Sequence, residues 1–103
     1  MPLKQSSPDE LDAFLEEHPL DGGYAYLFIR YDQSVVSLEQ IRYTVGEAGV
    51  AILDVFVVSK GPGREQSMLL KLDSQDVREI VLRMAKHKLI AVEGYNAAKM
   101  AIG

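Results

Sequence analysis

Val50-Ala51-Ile52-Leu53-Asp54-Val55-Phe56-Val57-Val58, then Ser59-Lys60-Gly61-Pro62-Gly63-Arg64-Glu65, then Ser67-Met68-Leu69-Leu70-Lys71-Leu72 decide the fold of this chain. Two apolar runs joined by two glycines around a proline read as a hairpin of antiparallel strands. Working outward, each strand meets a helical pattern. Upstream, Ser37 with Gln40 three residues on is a capping-box signature, and Leu38, Ile41, Val45 and Ala48 make one buried stripe that Gly49 ends. Downstream, Asp73 or Ser74 is the expected cap of a helix with the stripe Val77, Ile80, Val81 and Met84, ending in the basic run Lys86-His87-Lys88. Beyond the helices lie two more strands, Tyr24–Tyr31 and Leu89–Glu93, the latter closed by Gly94.

The order strand–helix–strand–strand–helix–strand is two crossovers sharing a hairpin, the split βαβ or ferredoxin-like arrangement. Right-handed crossovers set both helices on one face of a four-stranded antiparallel sheet, in the order 4-1-3-2. The expected class is therefore α+β, with the domain at residues 24–94. Residues 1–23 read as an N-terminal amphipathic helix and linker. Ser7 suits the N-cap, Pro8 the first helical position and Glu10 the third, while Leu11, Phe14 and Leu15 form a stripe that Pro19 stops. Residues 95–103 are an alanine-rich tail whose state the sequence leaves open.

Composition removes whole classes of function. The 103 residues are one domain's worth of chain, 48% hydrophobic and 25% charged. A net charge of −4 opposes a nucleic-acid footprint or a polybasic membrane patch. Zero cysteines exclude a disulfide scaffold, a thiolate metal site and thiol catalysis. No stretch reaches the roughly eighteen apolar residues of a membrane helix, and Met1–Ser7 lacks the apolar run of a secretory signal, so the cytoplasm is the expected compartment. His18 and His87 have no metal-pair spacing, so neither a metal, a cofactor nor a catalytic set is expected.

Period-two alternation turns Ala25, Leu27, Ile29, Leu53, Val55, Val57, Met68, Leu70, Leu72, Ile90 and Val92 toward the two helices. The other face gathers Tyr26, Phe28, Ile52, Phe56 and Leu69, more apolar area than monomers usually leave wet. It also carries charges that the strand order sets side by side, Arg30 with Glu93 and Asp54 with Lys71. Two compatible covers exist: the N-terminal helix, or a second subunit. Tyr26, Phe28, Phe56 and Leu69 are accordingly the expected interface of a homodimer or higher oligomer. The second strand is an edge in the expected order, with one charge between Val50 and Val58 to discourage pairing.

From Arg30 to Val58 the sequence resembles an ACT domain, a small-molecule-sensing module with the same element order. The likeness rests on Asp32 after the first strand, the helix Leu38–Ile41–Val45, and Gly46-Glu47-Ala48-Gly49-Val50-Ala51-Ile52. That last run is similar to the family's acidic–Ala–Gly–hydrophobic–x–Ile passage from helix into strand. The resemblance implies an amino acid or small carboxylate held between the loop after the first strand and the second strand of a neighbouring subunit. It nominates Asp32, Gln33, Ser34, Ser37, Gly49 and Ile52. Where the family carries a glycine, this chain reads Gln33-Ser34-Val35-Val36, which leaves Ser34, Ser37 and the free amides at the helix start to hold a carboxylate. Lrp-type ligand-sensing domains and PII-like regulators share the topology, the latter with a longer loop between the second and third strands.

The expectation is thus a non-enzymatic regulatory or ligand-sensing module. One alternative is a scaffold that docks a partner on the apolar sheet face. Another is a small dimeric ferredoxin-like enzyme built around Asp54, a carboxylate inside an apolar strand. Gly61-Pro62-Gly63-Arg64 reads as a turn, since it lacks phosphate-loop spacing and does not lead from a strand into a helix.

Overall fold

In the computed structural model, which describes residues 9–20, 22–61 and 63–96, the chain forms α1 (Asp9–Glu17), β1 (Ala25–Asp32), α2 (Leu38–Glu47), β2 (Ile52–Lys60), β3 (Glu65–Leu72), α3 (Arg78–Met84) and β4 (Ala91–Tyr95). The start signals Ser7, Pro8 and the Glu10 side chain, and the turn positions Asp21 and Pro62, lie outside what is described, as do residues 97–103 of the tail. No helix among the described residues is long and apolar enough to cross a membrane.

The four strands pair antiparallel in the order β2-β3-β1-β4, the expected order read from the other edge. β1 and β3 are apolar on both faces and take the centre. From Ala25 to Tyr31 every residue of β1 but Arg30 is buried. On one side Leu27, Ile29, Met68 and Leu70 pack against Ile41 and Val45 of α2 and Ile80 and Met84 of α3. On the other, Tyr26, Phe28, Leu69 and Tyr95 pack against Leu11 of α1, with Phe14, Leu15 and Phe56 at the margin. The result is three layers. Tyr26, Phe28 and Leu69 are buried within a single chain, beneath α1, and Phe56 is half-buried.

β2 departs from simple alternation. Its register against β3 slips between Ile52 and Asp54 and again between Val57 and Ser59, as β-bulges produce. Ile52 therefore lies opposite Leu72 and packs on the helix side, whereas Leu53, expected inward, is the extra residue and is 48% exposed. Val57 was also expected inward. It faces Met68 but is 51% exposed, since an edge strand has a neighbour on one side alone.

Three further expectations are corrected. β4 begins two residues later than the sequence implies and includes Gly94 and Tyr95. Glu93 therefore pairs across from Phe28, not Arg30, and accepts a hydrogen bond from the Tyr95 hydroxyl at 2.8 Å. Arg30 reaches Glu65 instead, at 3.4 Å, and Ile90 falls before the strand, half-exposed. Asp54 does sit opposite Lys71, but it is exposed and its carboxylate accepts the Val55 amide at 2.9 Å. The Lys71 ammonium lies 4.4 Å above the Tyr24 ring. Neither Asp73 nor Ser74 caps α3. The Ser74 hydroxyl closes a turn with Asp76, and the Val77 amide at the helix start donates to Asn96 Oδ1 at 2.8 Å, just beyond β4.

Candidate functional site

Four of the six nominated residues come together where β1 turns into α2. The Asp32 carboxylate accepts the Ser34 hydroxyl at 2.6 Å and the Ser34 amide at 2.8 Å. Those bonds, with the charge of Arg64 behind them, hold its carboxyl below the usual carboxylate range. The Gln33 amide donates to the Arg64 carbonyl at 2.9 Å, tying this turn to the β2–β3 hairpin. Ser37 completes the capping box: its hydroxyl takes the Gln40 amide at 3.1 Å while Gln40 Oε1 takes the Ser37 amide at 2.8 Å. The Ser34 hydroxyl, the Ser37 hydroxyl and one Asp32 oxygen are thus engaged in turn and cap. The Leu38 and Glu39 amides precede the first side-chain-capped position and face outward from the helix start.

Gly49 and Ile52 lie elsewhere. Gly49 follows α2 with φ +80, the left-handed region that glycine enters without strain, and Ile52 opens β2. Ten helical residues separate the two groups, a span of about 15 Å. Within one chain, the nominated residues form two groups at opposite ends of α2.

Two concave surfaces were not anticipated. An open groove of about 410 Å³ lies between α2 and the segment after α3, lined by Glu39, Gln40, Tyr43, Thr44 and His87. At its base His87 Nε2 lies 2.7 Å from Thr44 Oγ1, which also donates to the Gln40 carbonyl at 3.0 Å. A hydroxyl has one proton, so both contacts are hydrogen bonds when Nε2 donates. In that state His87 is a strut between α2 and the end of α3, not a base poised to activate Thr44.

The second is a cleft of about 330 Å³ between the end of α1 and the sheet. Phe14, Tyr26, Phe56 and Leu69 supply apolar walls, and Glu17 and His18 a polar rim. The Phe14 ring stacks on His18 with centroids 4.5 Å apart and tilts against Phe56 at 5.8 Å. In sequence, Pro19 reads as the helix stop and Phe56 and Leu69 as one sheet face, a reading that does not join Glu17 and His18 to that face. α1, whose stripe Leu11–Phe14–Leu15 makes it one of the two covers expected for that face, is what brings them together. Among the described residues no group of three potential metal ligands occurs. No family model matches the chain, and no curated protein shows a significant match to it.

Proposed function

We propose that this chain is a non-enzymatic regulatory module of ferredoxin-like fold, similar to ACT domains, that senses an amino acid or small carboxylate as a homodimer. The observation that carries this reading is the separation of the two groups. Asp32, Gln33, Ser34 and Ser37 sit at the start of α2, and Gly49 and Ile52 past its end, so two copies are needed to bring one group against the other. Two features support it. Gly49, the glycine of the acidic–Ala–Gly passage, lies at φ +80, which glycine enters without strain. Ile52 opens an edge strand with half-exposed Leu53 and Val57, a surface suited to a second chain. The Leu38 and Glu39 amides are the donors left for a carboxylate at the helix start.

A thermal-shift series with the free amino acids and small carboxylates tests the sensing role. A ligand at 100 times its dissociation constant adds about 2.7 kcal/mol, which raises the melting temperature of a domain this size by roughly 10–20 °C. Ser34→Phe should abolish that shift. No shift with any compound removes sensing. The half-exposed edge then favours a second reading, an interaction module that docks a partner strand on β2.

A further inference from the structure

We infer that the cleft between the end of α1 and the sheet is a separate binding site, for a small aromatic molecule carrying a protonated amine. It lies on the face of the sheet opposite α2, away from the proposed carboxylate seat. At about 330 Å³ it falls at the lower end of small-molecule sites, the size of a single ring with a short side chain. Its walls favour an aromatic guest, since Phe14 and Phe56, 5.8 Å apart and tilted by 54°, form one aromatic wall for a further ring to join. Tyr26 and Leu69 close the floor.

Charge selects the amine. α1 has no basic residue in its last turn, Glu16 and Glu17 end it, and its negative pole lies at the end that borders the cleft. Glu17 stands on the rim, and none of the described lining residues is lysine or arginine. An ammonium group there gains Glu17 and the helix pole together, and the aromatic lining rewards a cation as well. A carboxylate guest would meet the same field with the opposite sign.

The test titrates the full-length chain with 2-phenylethylamine, followed by calorimetry and amide NMR. Phenylacetate and 2-phenylethanol serve as the anionic and neutral matches. The amine should bind and shift the amides of Phe14, His18 and Phe56, with phenylacetate at least about tenfold weaker. Glu17→Gln, an exposed change that keeps the helix, should weaken the amine about threefold and leave 2-phenylethanol unaffected. Failure of millimolar amine to shift those amides overturns the inference. So does phenylacetate binding as tightly as the amine, or an unchanged amine affinity in Glu17→Gln.

Discussion

Ser37→Ala deletes the acceptor of the Gln40 amide and half of a reciprocal pair, and should cost about 1 kcal/mol in urea unfolding followed by circular dichroism. Gly49→Ala tests a different quantity. A methyl group there would meet no atom within 4 Å, so the expected loss of about 1–2 kcal/mol is backbone strain at φ +80 and not a clash. Asp76 gives a pH signature. Hydrogen bonds from the Arg78 side chain and amide hold its carboxyl at about 2, below the unfolded value near 4. Its folded-state pKa is depressed, so its stabilising effect is full above about pH 4 and fades as pH falls toward 2. Carboxyl NMR should place the Asp76 midpoint near 2, and Asp76→Asn should flatten acid unfolding over that interval. The capping box and the Gly49 stop were legible in sequence because each is decided by a few neighbouring residues. Asn96 at the start of α3 was not, because nineteen positions separate donor from acceptor.

At the level of elements, α1 is the most dependent part of the fold. Nine residues cannot hold a helix alone in water, so α1 persists through what Leu11 and its neighbours bury. Leu11 is fully buried, and Leu11→Ala should cost about 2–5 kcal/mol. Hydrogen exchange should show α1 amides opening before those of β1 and β3, with the gap widened in the variant. Strand order, the central position of β1 and β3 and the two helix stripes were all readable, since polar residues punctuated a clear apolar period. The facing of β2 was not. Ile52 and Leu53 are both apolar, so alternation carries no information about which turns inward, and the bulge settled it. The candidate site divides the same way: the turn at Asp32 was visible as local chemistry, while the α1 cleft joins residues from three distant segments.

For the molecule as a whole, the covering of the sheet by α1 moves the search for a dimer contact from face to edge. Phe28→Glu would now bury a carboxylate under α1 and should unfold the protein, not dissociate it. Val57→Lys, at a half-exposed edge position, is the informative change. Light scattering should return twice 11.4 kDa for the parent chain and 11.4 kDa for Val57→Lys, with matching circular dichroism. A monomer at high concentration would set the homodimer aside. The placement of β4 has a different consequence. Among the described residues it is the last strand in sequence, yet it closes one side of β1, and Asn96 beside it bonds the Val77 amide at the start of α3. During synthesis β1, α2, β2, β3 and α3 all leave the ribosome before either partner does. Until then the nascent chain holds a sheet whose most buried strand is an open edge and whose last helix lacks the Asn96 bond to the Val77 amide. Completion awaits the emergence of residues 91–96, and a stalled or truncated product lacking them is a template for strand pairing between chains.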